Sequence, residues 1–338
     1  MQRHKIASAV CLALALTFCG SAAMAQYQLT NLVSNQVKQA RFDDPLLVNG
    51  WGLVYGPGGP FWVSDQGSGW STLYNGAGVK QGLIVLIPSA SGAGPGSPTG
   101  IIFNGSQDFQ VQGWPAFFLF ATLDGTISGW APQSNPNASI IAVTTPGAVY
   151  TGLAVTGNAS GNFLYAADAA NNVVDVYDGG FNLVNTLTDP SIPTGFSAFN
   201  VQDINGIVYV TYASSAGASG GYIDTFTESG TLIKTLAQGA PLNQPWGLAV
   251  APKNFGAFSD TLLVSNNTNH GTINAFNAVT GKFVGTLKDA AGSVITIDQL
   301  WGIEFGGNTA NNGSANSLYF TAGPANNVAG TFGVIKPQ

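Results

Sequence analysis

A period of about fifty residues runs through this chain, and a repeat of that length made of strands admits only a ring or a stack of small sheets. Its clearest copies are Trp51-Gly52-Leu53-Val54, Trp246-Gly247-Leu248-Ala249 and Trp301-Gly302-Ile303-Glu304, each with an aliphatic residue four places earlier: Leu47, Leu242 and Ile297. Weaker copies fill the intervals at Thr99-Gly100, Thr151-Gly152 and Phe199-Asn200, which places six anchors at positions 51, 99, 151, 199, 246 and 301. After each anchor comes a β-branched and aromatic segment: Phe61–Asp65, Phe118–Thr122, Leu164–Asp168, Val208–Tyr212, Leu262–Asn266 and Leu318–Ala322. A third strand follows a Gly, Asn or Ser turn, and a fourth recurs at Leu83–Ile87, Ile140–Val143, Leu183–Leu187, Leu232–Leu236 and Phe283–Leu287.

The sixth copy stops at its third strand, Thr331–Ile335, and would leave an open sheet edge. Gln28-Leu29-Thr30-Asn31-Leu32-Val33 is β-prone and has no other partner, so the pattern predicts that it supplies the missing strand. The expected fold is all-β: a six-bladed β-propeller with four antiparallel strands per blade, the last closed by the N-terminal strand, in a single domain over residues 26–338. The 45 glycines and the 8% share of charged residues suit a chain built from tight turns. Ser89–Pro98 reads as a loop entering the second blade, because the repeat continues through it.

The first 25 residues read as a cleavable signal peptide. Arg3 and Lys5 precede an apolar run from Ile6 to Phe18, and Ala23-Met24-Ala25 supplies small residues for cleavage before Gln26. Phe18 stands where lipidation at Cys19 would require a small residue. The implied location is secreted or periplasmic. Cleavage removes both cysteines and moves the formal charge from −6 to −8, leaving His270 as the single histidine. A chain this acidic has no means of neutralising a run of phosphates, which excludes nucleic acid as a partner, and no later segment is long and apolar enough to span a membrane.

In a propeller the links into the innermost strands and the turns after the second strands open on one face. That expectation brings together two residue rings: Trp51, Thr99, Thr151, Phe199, Trp246 and Trp301, and Asp65, Thr122, Asp168, Tyr212, Asn266 and Ala322. Trp51, Phe199, Trp246 and Trp301 beside Asp65, Asp168 and Asn266 suit a sugar or another planar, neutral ligand, with ring stacking and hydrogen bonds to hydroxyls. The same residues also suit a purely structural role, Trp-Gly as a wedge between blades and Asp as the acceptor of its own turn. Gly217-Ala218-Ser219-Gly220-Gly221 matches a nucleophile-elbow spacing but lies between two strands, and reads as a loop. His270, in Asn266-Asn267-Thr268-Asn269-His270-Gly271, reads as a polar turn residue without a nearby acid.

The repeats resemble NHL and SMP-30-type propellers. Asp44-Pro45 to Trp51-Gly52, Gly125 to Trp130 and Phe199-Asn200-Val201-Gln202 to Tyr212-Ala213 resemble a family of exported bacterial propeller proteins. This resemblance implies the fold and export and brings no catalytic residue with it. Glu304 is anomalous within the repeat, since Val54, Ile102, Ala154 and Ala249 occupy the same position elsewhere. Metal-dependent lactonases of similar fold hold a divalent cation with Glu, Asn and Asp, and by that resemblance Glu304, Asp168 and Asn266 could serve as oxygen ligands to an ion such as calcium. Two functions stay open. One is a binding module for a neutral small molecule, glycan or protein at the central-channel face, with no cofactor; the other is a metal-dependent, lactonase-like hydrolase or lyase.

Overall fold

The computed structural model describes residues 26–338; the segment read as a signal peptide, with Cys19, lies outside them. Six sheets of antiparallel strands follow one another along the chain, and within each the first strand lies innermost and the fourth outermost. Blade 1 comprises Gly50–Tyr55, Phe61–Asp65, Trp70–Tyr74 and Lys80–Leu86; blade 2, Pro98–Phe103, Phe118–Thr122, Thr126–Trp130 and Ile140–Thr144. Blade 3 comprises Tyr150–Asn158, Gly161–Asp168, Val173–Asp178 and Leu183–Leu187; blade 4, Phe196–Ile204, Ile207–Ser214, Tyr222–Thr227 and Leu232–Gln238. Blade 5 comprises Pro245–Val250, Leu262–Asn266, Ile273–Phe276 and Phe283–Thr286; blade 6 contributes Leu300–Phe305, Leu318–Ala322 and Thr331–Pro337. Among the described residues the helical content is one 3-10 turn, Gly256–Phe258, and no helix is long and apolar enough to cross a membrane.

The ring closes as the missing strand requires. Tyr27–Ser34 pairs antiparallel with Thr331–Pro337 and becomes the outer strand of blade 6. A short segment not anticipated from the repeat, Phe42–Asp43, then pairs in parallel with the end of Tyr27–Ser34 and covers part of the outer edge. A second unanticipated element is a small hairpin, Gln110–Val111 with Trp114–Pro115, in the connection between the first two strands of blade 2.

The apolar core is divided. Each pair of neighbouring blades encloses its own cluster, for example Trp62, Val85, Ile101 and Phe120 between blades 1 and 2, and Leu263, Ile295, Leu300 and Phe320 between blades 5 and 6. A last cluster of three indoles lies at the centre. This division follows from the pleat: alternate residues of a buried strand face opposite neighbours, so both faces must be apolar.

The repeated anchor has a mechanical explanation. In every blade the pairing of the first and second strands slips at the anchor, at Gly50/Leu53, Pro98/Ile101 (opposite Thr122/Phe120), Tyr150/Gly152, Ala198/Asn200, Pro245/Leu248 and Leu300/Ile303. Such a bulge turns the inner strand sharply where six strands converge. A side chain on the second strand then holds the bulge and the next blade together: Thr321 Oγ1 accepts from Gly302 N at 3.0 Å and donates to the Trp51 carbonyl at 2.5 Å. Ser265 repeats this with Gly247 N and the Trp301 carbonyl, at 2.7 and 2.6 Å. Inner strands pack so closely there that a Cβ on Gly52 would collide with the carbonyl of Thr99, and one on Gly152 with the Asn200 amide.

Candidate functional site

The two residue rings do come together, but the first is closed. Trp51 and Trp301 stack with centroids 3.5 Å apart, and Trp246 meets both edge-on at 6.4 and 6.1 Å. All three are buried, with Phe199 and Leu123 packed against them. Their faces are therefore occupied by one another where an open stacking surface was expected, because six inner strands converge there. Trp301 Nε1 donates to Asn49 Oδ1 and Trp246 Nε1 to the Thr151 carbonyl, while Trp51 Nε1 is buried without a partner. Thr99 donates to the Tyr150 carbonyl and Asn200 to that of Trp246, so these positions too lock neighbouring blades.

In the second ring one position serves different ends. Asp168 Oδ1 accepts from the amides of Val149, Ala170 and Asn171, and its Oδ2 from the Asn171 side chain. Asn266 repeats the first contact by accepting from Asn243 N, and it donates to the Pro241 carbonyl and Thr272. Asp65 is fully buried with neither oxygen hydrogen-bonded. Burial, with Asp44 close by, raises its pKa well above the carboxylate range and favours the neutral acid, against the pull of Thr72 and Lys80. Thr122 bonds within its own turn, and Tyr212 and Ala322 are buried.

Below the indoles the channel opens toward the other face. A cavity of roughly 200 Å³ is lined by the later residues of the inner strands, among them Leu53, Ile102, Val155, Gln202, Asp203 and Glu304. In five of the six inner strands the start is buried, and all six end half-buried or exposed, so solvent enters from the side of the connections between first and second strands. Glu304 is the anomalous residue in this wall. Burial pushes its carboxyl up to about 7, opposed by the backbone N–H of Phe305. Burial likewise raises Asp203, with Glu228 adding to the shift while Thr156 and the Gly206 amide oppose it. Among the described residues no three His, Cys, Asp or Glu side chains gather as a metal site. The donor set Glu304, Asp168 and Asn266 does not fit a shared cation, since the oxygens of Asp168 and Asn266 already accept from the links into their blades, at Val149 N and Asn243 N, and Asp168 also from Asn171.

On the same face lies a larger concavity that the repeat did not reveal. A groove of about 700 Å³ runs between blades 1 and 2, lined by Trp62, Phe103, Trp114, Phe117, Phe118 and Trp130, with Asn104, Ser106, Gln107 and Gln133 as its polar side chains. Phe103 lines both groove and channel, so the two adjoin. Trp62 stacks on Phe118 at 4.1 Å and lies 4.9 Å from Trp130, which Phe117 meets edge-on at 6.2 Å.

The local sequence holds this wall in place. Gln112 and Gly113 both adopt left-handed backbone, φ 50° and 82°, the two-residue turn that a tight hairpin favours. Phe109 and Val111 plug the hairpin into the core between blades 2 and 3, leaving Trp114 outside. Asn104 Nδ2 donates to the carbonyls of Asp108 and Ala116 and ties the two ends of the loop together. The signals that would have found the groove were the long interval between Phe103 and Phe118 and the Gln112-Gly113 turn inside it.

His270 is a turn residue with φ 66°, as read, but an acid does accompany it. Asp298, from the link into blade 6, lies 3.3 Å from its Nδ1, in an exposed pair. Residues 217–221 form a loop between two strands.

No protein-family model matches the sequence. Solved structures show the fold: a streptogramin B lyase aligns over 93% of this chain and 98% of its own with a TM-score of 0.56, and virginiamycin B lyase from Staphylococcus aureus over 93% and 99% with 0.55, each at 11% identity. Three uncharacterised proteins of Acanthamoeba polyphaga mimivirus are similar in sequence, where the resemblance had pointed to bacterial proteins. L690 is 29% identical over 83% of this chain and 79% of its own length. R648 is 30% identical over 93% of this chain and 81% of its own length, and the chain belongs to the family of this mimivirus protein.

Proposed function

We propose that the protein is an exported, non-catalytic binding module that takes a neutral ligand in the aromatic groove beside the channel mouth. The observation that carries this reading is the lining itself: six aromatic side chains, four neutral polar ones and no charged residue. A charged ligand would lose its hydration there and gain no partner, whereas a neutral one gains contact with aromatic faces. Trp114 and Phe117 are 49% and 43% exposed, a large outlay of apolar surface for a water-facing loop. The hairpin and the Asn104 bonds fix those rings in advance, so little ordering is required on binding.

A second reading, a lactonase-like hydrolase, is favoured by Glu304, whose carboxyl in the channel titrates near neutrality and so suits proton transfer. One experiment separates the two. Tryptophan emission is followed while a panel of uncharged glycosides and lactones is titrated into wild type, Trp114→Ala and Glu304→Gln, with product analysis of each mixture. A binding module gives an emission change lost in Trp114→Ala, kept in Glu304→Gln, and no product. Turnover lost in Glu304→Gln overturns the non-catalytic reading.

A further inference from the structure

We infer that the occupant of the groove is an uncharged oligosaccharide, an inference that rests on the groove being the binding site. A pyranose ring presents C–H groups on its faces and hydroxyls around its edge, so it needs an aromatic face below and neutral hydrogen-bonding groups at the side. Trp114 and Phe117 supply the exposed faces, Phe117 backed edge-on by Trp130, and the buried Trp62, Phe118 and Trp130 complete the lining. Gln107 and Gln133 are exposed at the rim, and each amide offers both donors and an acceptor, the combination a hydroxyl satisfies. Uronate and sulfated chains are disfavoured twice, by a lining without cations and by the acidic net charge. A purely apolar ligand suits the site less well, because a groove this open leaves much of its surface in water. The roughly 700 Å³ exceeds what one sugar ring fills, which favours a chain over a monosaccharide.

The test is calorimetric titration of the purified chain with cellohexaose, xylohexaose, mannohexaose and chitohexaose, with polygalacturonate and a proline-rich decapeptide as comparisons. The expected result is saturable binding of at least one neutral hexasaccharide, insensitive to salt, and weakened about tenfold or more in Trp114→Ala. Both Trp114 and Gln133 are exposed, so Gln133→Ala provides a second variant, expected to weaken binding by a smaller factor. Absence of binding by all four neutral glycans overturns the inference. If the decapeptide still binds and depends on Trp114, the groove stands as a binding site and the sugar alone is refuted. If a hexasaccharide binds equally to wild type and to Trp114→Ala with Phe117→Ala, the groove itself is refuted.

Discussion

Replacing Glu304 by Gln should stabilise the protein above neutral pH and leave it unchanged in acid. The carboxyl titrates at 4.5 in an unfolded chain and at about 7 in the folded one, raised by burial in the channel wall. Below 4.5 both states are protonated and the group is neutral in each. Between 4.5 and 7 the unfolded chain releases its proton while the folded chain keeps it, so stability falls as pH rises, and above 7 the folded protein carries an unfavourable buried charge. Each factor of ten in proton affinity is worth ~1.4 kcal/mol, and with Glu304 only half-buried the full cost is about 2–3 kcal/mol. With an unfolding entropy of ~2 cal/mol/K per residue in a domain this long, that corresponds to a Tm difference of about 3–5 °C. Scanning calorimetry of wild type and Glu304→Gln from pH 5 to 8.5 should show the variant melting higher at alkaline pH, with the gap closing toward pH 5. Asp65, Asp203 and Asp224 are shifted in the same direction, so the difference between the two proteins, and not the wild-type slope, is the readout. A gap independent of pH, or a variant less stable at pH 8.5, would refute the assignment of Glu304 as an acid whose charge the channel wall disfavours.

Deleting Gln28–Val33 should lower the melting temperature far more than deleting Ala90–Pro95, an equally long and exposed loop segment, because only the first removes a paired strand and the buried Leu32 and Val33; equal melting temperatures would count against ring closure as a source of stability. Thr321→Val keeps the shape but leaves Gly302 N and the Trp51 carbonyl without their shared partner, and thermal or urea unfolding should register a loss of about 1–3 kcal/mol.

Much of the fold was legible because it depends on short-range pattern. Phe61–Asp65, Phe118–Thr122, Leu262–Asn266 and Leu318–Ala322 have the same bounds in the sequence reading and in the structure. A strand buried on both faces announces itself as a short apolar, β-branched run between turn residues. The Tyr27–Ser34 strand was legible for a different reason: a sixth repeat lacking its last strand leaves one candidate for the gap. The environments of the candidate site residues were much less so. Asp65 and Asp168 hold one repeat position, yet the first is a buried acid with no hydrogen bond and the second is wrapped by three amides, a difference set by neighbours on other elements.

What the sequence by itself determined is the period, the strand content and the count of six, since each follows from local alternation repeated along the chain. Tertiary structure alone decided which way the side chains at those positions are used. Trp51, Trp246 and Trp301 face one another because six inner strands converge on one axis, and convergence is a property of the closed ring that no single repeat contains. The groove likewise needs Trp62 from blade 1 and Trp114 and Trp130 from blade 2, side chains up to 68 positions apart whose meeting depends on how two sheets pack. Contacts of that kind are set by the packing of whole blades, and packing is decided only once the ring is closed.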